Sequence, residues 1–316
     1  MEDNKKYVSV PFNMIFKHET GFPVDLYIRL SNSSKIIKLG HRNEDIKDRL
    51  TKYQEKGVHE VFVLEDEYDQ ILKTVKEELI EKGQISRPPK KGDVETLSDG
   101  HEMVKESLIK IGFTETAVKL ALEVNKKSIE MLQAVPNIFQ FLKSFQQNSS
   151  EEYMRGLLNS YTATTMLTKF TWQTQEIKEK LAMAALLCDV TLSQNDLKTL
   201  REQDPDKFSE DLKGHPIAIA ELLSQQKDAV SSETLTVIRQ HHEKPDGTGF
   251  PSGLGHQNIA PLSCIYIVAD RFIGLMLKHN FDFQKKDEIV QKLKDDYHQG
   301  NFKKSRDALF KTLGFN

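Results

Sequence analysis

The spacing of apolar residues changes character along the chain. In the first ninety residues, short runs rich in β-branched and aromatic residues alternate with polar or glycine-bearing turns, which is typical of strands. Strands are predicted at 7–15, 24–30, 35–39 and 58–64, and amphipathic helices at 43–56 and 66–82. Asn43 is expected to cap the first of these helices. The pattern therefore predicts a small α/β domain over residues 1–85, suited by analogy to sensing or dimerisation.

Beyond residue 100, apolar positions recur at intervals of three and four residues, which predicts helices almost throughout. Residues 86–100 are predicted as a linker, 101–148 as connecting helices and 149–316 as a helical domain. The run 181–187 is apolar around its whole circumference and is therefore expected to be buried. His101 is expected to have a capping or surface role. The chain as a whole is predicted to be α+β, with an all-α bundle after the small domain.

The composition narrows the class of protein. Charged residues make up 29% of the chain and the net charge is −3, which argues against binding to nucleic-acid polymers or anionic membranes. No segment approaches the roughly 18–20 apolar residues that span a bilayer, and the charged start of the sequence does not resemble a secretory signal. Two cysteines, Cys188 and Cys264, are too few for a disulfide framework. We therefore expect a cytoplasmic protein.

One stretch concentrates residues capable of chemistry, HHEKPDGTGFPSGL at 241–254. His241, His242 and Glu243 close a helical apolar run, and a loop with three glycines and two prolines follows at once. These glycines permit tight turns, and the prolines restrict the backbone locally. Imidazoles and a carboxylate above such a loop suit a metal or phosphate site.

This stretch resembles the signature of the HD-GYP family, bacterial metal-dependent phosphodiesterases that open cyclic di-GMP. The signature has two histidines and a glutamate, then Asp-Gly, one residue, Gly-Tyr-Pro and Gly-Leu. All of it is present here except the tyrosine, which is Phe250. The resemblance covers roughly residues 150–285 and implies an HD-type helical bundle, a binuclear metal centre and a role in signalling.

The resemblance also implies roles for individual residues. Metal ligands are implied at Asp189, His215, His241, His242 and Asp270, and the Asp189 carboxylate is implied to bridge the metals and to be catalytic. Substrate contacts are implied at Asp246, Gly247, Gly249 and Phe250. Pro216, directly after His215, is expected to occupy the first position of a helix. On the residues alone, His215 could instead be a simple helix cap.

The second half of the implied centre departs from the family pattern. The family's His-Asp pair is Cys188-Asp189 here, the lysine that should follow is missing, and so is a metal-binding histidine further upstream. Glu152 and Asn159 are the nearest polar candidates to replace that histidine. Cys188 either ligates a metal as a thiolate or is a small buried apolar residue, and both alternatives stay open.

Three functions are compatible with these features. The first is a divergent HD-GYP-like phosphodiesterase of weakened activity, acting on cyclic di-GMP or a related nucleotide. It would hold one or two divalent ions, iron by resemblance, with manganese or zinc as alternatives. The second is a degenerate pseudoenzyme that binds a nucleotide or a protein partner, and the third is a metal-free structural module. The connecting helices 101–148 are a candidate surface for a homodimer.

Overall fold

The computed structural model of the protein describes residues 6–11, 15, 21–29, 35–56, 58, 60–81, 91–112, 114–133, 151–202, 207–225 and 230–315. The chain forms two compact units. The N-terminal unit comprises Met1–Gly83 and Glu102–Leu120, and the helical unit comprises Gln84–His101 and Ala121–Asn316. Each unit is described by itself below.

The N-terminal unit is built on a four-stranded antiparallel sheet with the strand order β1-β4-β2-β3. The strands are β1 (Tyr7–Pro11), β2 (Leu26–Arg29), β3 (Ile36–Gly40) and β4 (Glu60–Leu64). Its helices are α1 (Lys47–Glu55) and α2 (Tyr68–Glu81). Val10, Val61 and Val63 are fully buried, as expected of β-branched residues on the covered face of a sheet. The predicted strands and helices are thus present, all with shorter bounds except β3, which lies one residue further along than predicted. Positions 12–14 of the first predicted strand lie outside the described residues.

The prediction that Asn43 caps α1 is wrong. Asn43 has a positive φ of 59°, and its main-chain N–H donates to the carbonyl oxygen of Phe22 at 2.8 Å. A residue in this left-handed conformation belongs to a turn, which asparagine tolerates better than most residues. The helix begins only at Lys47, after Ile46.

The remaining chain is helical. Its helices are α3 (Lys91–Lys110), α4 (Glu115–Gln133), α5 (Glu151–Leu167), α6 (Gln175–Leu187), α7 (Gln194–Glu202), α8 (Glu210–Ser224), α9 (Ser232–Gln240), α10 (Pro261–Lys278), α11 (Lys286–Asp296) and α12 (Gly300–Leu313). Together with the small sheet, they confirm the predicted α+β class. None of the helices in the described ranges is both long enough and apolar enough to cross a lipid bilayer.

Helix α3 begins at Lys91 and so occupies much of the segment predicted as a linker. Leu97, His101 and Val104 recur at helical spacing and are all buried, which explains why the helix extends this far. The capping or surface role predicted for His101 is wrong, since it lies within α3 and its ring is 5.3 Å from that of Tyr153. The proposed division into domains stays a prediction, and residues 82–90 lie outside the described residues.

Helix α10 forms the centre of the helical unit. It packs against α5, α6, α9, α11 and α12, and Cys264, Ile265, Val268 and Ala269 are completely buried along it. The run Leu181–Leu187 of α6 is also buried, as predicted. A charged side chain on so apolar a helix needs a partner, because an unpaired buried charge is strongly unfavourable. Asp270 of α10 is in that position.

Candidate metal centre

Four of the predicted ligands meet in the helical unit. Asp189 follows the end of α6, His215 lies in α8, and His241 and His242 follow the end of α9. One potential ligand atom from each of the four lies within 4.8 Å of those of the other three. Residues separated by as many as 53 positions in the sequence are therefore brought to one point by three helices.

The spacing of these atoms is close to what a single cation requires, with His242 slightly farther from Asp189 than the other two rings. The Asp189 Oδ1 atom lies 3.3 Å from His241 Nε2, 3.4 Å from His215 Nε2 and 3.8 Å from His242 Nε2. Ligand atoms about 2.0–2.1 Å from one common ion lie roughly 3.0–3.5 Å from one another. Three imidazole nitrogens and one carboxylate oxygen are donors that suit iron, zinc or manganese.

The orientation of His215 depends on the proline that follows it. Pro216 lies inside α8, so the prediction that it opens the helix is wrong: Ser209 is the cap, and its side chain accepts from the Leu212 N–H. A proline has no N–H, and the carbonyl of Leu212, four residues before it, therefore loses its usual helical donor. The His215 Nδ1 atom lies 2.6 Å from that carbonyl oxygen. This contact fixes the ring and also excludes a simple capping role for His215.

His241 is oriented in the same way by a helix end. Its Nδ1 atom lies 2.6 Å from the carbonyl oxygen of Ile238, one of the last carbonyls of α9, which have no donor within the helix. A ring that donates from Nδ1 to a carbonyl leaves its Nε2 atom as an acceptor when neutral. The Nε2 atoms of His215 and His241 lie only 3.2 Å apart. Two lone pairs at this distance need a proton or a cation between them.

The charge state of the cluster also favours a cation. Burial alone would raise the pKa of the Asp189 carboxyl, but its hydrogen bonds with His215 and His241 hold that pKa well below its usual value. Burial, followed by the neighbouring His241, lowers the pKa of the His242 imidazole well below its usual value. The His242 Nε2 atom is buried and has no hydrogen-bond partner within the described residues. An anionic carboxylate among three imidazoles is a set of donors that a divalent ion would satisfy.

Glu243, the third residue of the motif, supports the loop. Its Oε1 atom accepts from the Ser252 N–H and its Oε2 atom from the Leu254 N–H, both at 2.8 Å. The side chain is 1% exposed, and hydrogen bonds to a buried carboxylate are among the stronger ones in proteins. Glu243 thereby ties the far end of the loop to the segment that carries His241 and His242.

Two glycines allow the loop to fold against itself. A Cβ atom at Gly249 would lie 2.3 Å from the Lys244 nitrogen and 2.5 Å from the Glu243 Cα atom, which is closer than any real contact. Gly247 has a φ of 79°, which favours glycine. Asp246 faces its own loop, where its Oδ1 atom accepts from the N–H and hydroxyl of Thr248 and these bonds lower its pKa. Substrate contact by these three residues stays a prediction.

Phe250, at the position of the signature tyrosine, packs directly against the cluster. Its ring centroid lies 4.6 Å from that of His242 and 5.8 Å from that of Phe208. Its main-chain N–H donates to the His242 carbonyl oxygen at 3.2 Å. Phe250 also lines a cleft of about 1570 Å³ that opens beside the cluster. Its predicted contact with substrate is untested, but it does hold the His242 ring in place.

The structure does not bring Asp270 and Cys188 into this group of ligand atoms. Asp270 receives two hydrogen bonds at its Oδ1 atom and one at its Oδ2 atom from the Arg155 guanidinium, at 2.8–3.0 Å. The Cys188 Sγ atom lies 2.8 Å from the Tyr266 hydroxyl, and burial, followed by the charge of Asp189, raises the pKa of the thiol. Of the two alternatives left open for Cys188, the neutral buried thiol is favoured. Metal ligation by either residue stays a prediction.

The upstream candidates have different outcomes. Asn159 is buried, and its Nδ2 atom donates to Asp270 Oδ1 at 2.6 Å, so it faces the carboxylate rather than the histidines. The side chain of Glu152 lies outside the described residues. Arg155 was missed by the sequence reasoning, although one signal was available. Arg155 and Asn159 are four residues apart and share a face of α5, a helix whose buried residues are otherwise mainly apolar.

Comparison with known proteins supplies a family and a fold. The family model described as "HD domain" matches residues 127–294, which is more than half of the chain. Among solved structures, the HDG"Y"P protein Bd1817 from Bdellovibrio bacteriovorus is similar, with a TM-score of 0.56 and 19% sequence identity. The match covers 98% of this chain and 100% of that one, and at this identity it shows a shared fold. The sequence matches none of the curated proteins with which it was compared.

Proposed function

The chain belongs to the HD domain family, and from this premise we propose that it is a metal-dependent phosphodiesterase acting on cyclic di-GMP or a related nucleotide. The observation that carries the proposal is the convergence of Asp189, His215, His241 and His242 beside a wide cleft. The resemblance of residues 241–254 to the HD-GYP signature supports the choice of substrate.

The four clustered residues would hold the ion. When bound, a divalent cation supplies charge neutralisation at phosphorus and activation of a water molecule. The donor set is compatible with iron, which the HD-GYP resemblance favours, and with manganese or zinc. The tautomers imposed by the Leu212 and Ile238 carbonyls keep the ring nitrogens of His215 and His241 available without any rearrangement.

The cleft has the size and chemistry expected of a nucleotide site. Its volume of about 1570 Å³ exceeds that of a typical small-molecule pocket, so a dinucleotide has room to bind. Lys244 and Lys278 on its walls suit phosphate groups.

The test is hydrolysis by protein stripped of metal and then reloaded with Fe²⁺, Mn²⁺ or Zn²⁺, with Fe²⁺ handled anaerobically. We expect cyclic di-GMP or a related cyclic dinucleotide to be linearised only after loading, and the Asp189→Ala variant to be inactive. The His298→Ala variant is the matched control, because His298 is exposed and bonds only to its own segment.

Two outcomes would overturn the proposal. Metal-loaded protein that neither hydrolyses nor binds any of these nucleotides would leave a degenerate member that binds a protein partner. Tight binding without hydrolysis would make the chain a degenerate, nucleotide-binding member of its family.

A further inference from the structure

We propose that the guanidinium group of Arg155 stands in place of a second cation beside Asp189, so that the centre binds one divalent ion per chain. The inference rests on the proposed function in one respect only, which is that the histidine cluster binds a metal. It does not require turnover, and it departs from the binuclear centre that the HD-GYP resemblance implies.

The first argument is the hydrogen bonding of Asp270. Its Oδ1 atom accepts from Arg155 Nε at 3.0 Å, from Arg155 Nη2 at 2.8 Å and from Asn159 Nδ2 at 2.6 Å, and its Oδ2 atom accepts from Arg155 Nη2 at 2.8 Å. A carboxylate oxygen with three donors has no lone pair left for a metal. A metal ion at Asp270 could use only the remaining lone pair of Oδ2, where it would lie against the positively charged guanidinium unless Arg155 were displaced.

The second argument is the cost of that displacement. The side chains of Arg155 and Asp270 are 14% and 17% exposed, so both charges are largely removed from water. Breaking such a pair leaves a buried charge without compensation. An incoming ion would need to offset that loss as well as its own desolvation.

The third argument is the charge around Asp189. Burial alone would lower the pKa of Arg155, but the charges of Asp270 and then Asp189 raise it, which shows that both carboxylates act on the guanidinium. One arginine and two carboxylates carry one net negative charge, which a single divalent ion already reverses. A second divalent ion would place a large positive charge in a site where the guanidinium cannot lose its proton.

The fourth argument is the space on this side of Asp189. A cavity of only about 10 Å³ is lined by Arg155, Asn159, Asp189 and Tyr266, among others. Such a volume admits about one water molecule. The Cys188 thiol, which would have to replace the missing histidine ligand, lies 2.8 Å from the Tyr266 hydroxyl instead.

A consequence for substrate binding follows. Arg155 and Asp270 line the same cleft as His241 and His242. The planar guanidinium is therefore placed to donate to a phosphate oxygen of a substrate whose phosphorus lies at the metal. The site would then bind a phosphodiester through one metal ion and one arginine.

The experiment measures metal stoichiometry and does not depend on activity. Chelator-stripped protein is titrated with Mn²⁺ by calorimetry, and its EPR spectrum is recorded after loading. We expect one Mn²⁺ per chain and an uncoupled, mononuclear spectrum, with no binding by the His242→Ala variant. Two ions per chain, or the spectrum of a coupled pair, would overturn the inference and leave the proposed function standing. Absence of any binding would overturn both.

A matched pair of variants tests the role of the charge. Arg155→Met removes the positive charge and keeps much of the side chain, whereas Arg155→Lys keeps the charge. If Arg155 acts as the second cation, the Met variant should bind Mn²⁺ about tenfold more tightly or bind an additional ion, and the Lys variant should resemble the unaltered protein. Unchanged or weaker binding by a folded Met variant would count against the inference. The stoichiometry of the unaltered protein decides the matter if that variant fails to fold.

Discussion

The histidine cluster and the Arg155–Asp270 pair line the same cleft, and they differ in how their buried polar groups are compensated. In the cluster, Nε2 atoms 3.2 Å apart face each other and the carboxylate, and that of His242 has no partner within the described residues. In the ion pair, both oxygens of the carboxylate are occupied by donors from α5. The cluster therefore needs a proton or a cation from outside the chain, whereas the pair already contains its cation.

We infer from this difference that an acidic residue at a ligand position is a weaker candidate ligand when other donors occupy its lone pairs. Asp189 and Asp270 both end or interrupt apolar helical runs, and the HD-GYP resemblance implies metal ligation by both. The two carboxylates differ in the side chains that surround them: imidazoles at Asp189, and hydrogen-bond donors from α5 at Asp270. The number of metals a site can hold therefore depends on the partners of its carboxylates, and the following experiments test that distinction.

The largest effect on stability should come from breaking the ion pair. Arg155→Ala leaves the Asp270 carboxylate buried without its cation, so we expect the free energy of unfolding to fall by about 3–5 kcal/mol. The measurement is urea unfolding in the presence of a chelator, which removes any contribution from metal. The double variant Arg155→Met/Asp270→Leu removes both charges and should recover most of this loss. If the single variant were as stable as the double one, the pair would not be a buried, compensated unit.

The cluster should show a comparable dependence on metal. An ion that binds the folded state only stabilises it by about 2.7 kcal/mol at 100 times its dissociation constant. We expect Mn²⁺ to raise the midpoint temperature of thermal unfolding in the unaltered protein, because of this gain in stability. The midpoint of the His215→Ala variant should not change. His298→Ala should behave like the unaltered protein. An equal shift in all three proteins would place the ion elsewhere.

A smaller effect is expected from the loop that holds the cluster. Gly249→Ala introduces a Cβ atom against the main chain of Glu243 and Lys244, neither of which can move without shifting the histidines. We expect a loss of about 1–3 kcal/mol in the free energy of unfolding, in line with other overpacked sites, and weaker Mn²⁺ binding. Gly255→Ala is the matched control, because a Cβ atom there meets nothing within 4 Å. Equal stability of the two variants would show that the backbone has room at Gly249.

The smallest effect should come from an exposed ion pair, which serves as a reference for the buried one. The pair is formed by Glu233 and Lys180. The main-chain N–H of Glu233, followed by the Lys180 side chain, holds the pKa of the Glu233 carboxyl at about 2, below the ordinary value of 4.5. Because the pKa is lower in the folded state, this stabilisation is present above pH 4.5 and is lost as the pH falls towards 2. Ion pairs at the protein surface contribute little to the free energy of unfolding. Glu233→Gln should therefore be slightly less stable at pH 7, with a difference that shrinks below pH 4.5, as measured by urea unfolding against pH.

The predictable parts of the site are those encoded by contiguous residues. The stretch 241–254 identifies two ligands and their loop, and the residue types around Asp189 and His215 add two more. Helix boundaries were less accessible, since Ser209 and Pro216 are both start signals and only one of them opens α8. The contact between Arg155 and Asp270 spans 115 positions, and no local pattern indicates which carboxylate a distant arginine will meet. The strands of the sheet were predictable because the short runs of β-branched and aromatic residues that indicate them are local features of the sequence.

The bonding of Glu243 and the close approach at Gly249 bear on how such chains are recognised. Both residues are needed for the loop to close, whether or not a reaction takes place beside it. A descendant of this protein that had lost every trace of catalysis would still need them in order to fold. We therefore expect the residues of this stretch to report the architecture of the loop, and a catalytic test is needed beside the motif to identify an enzyme.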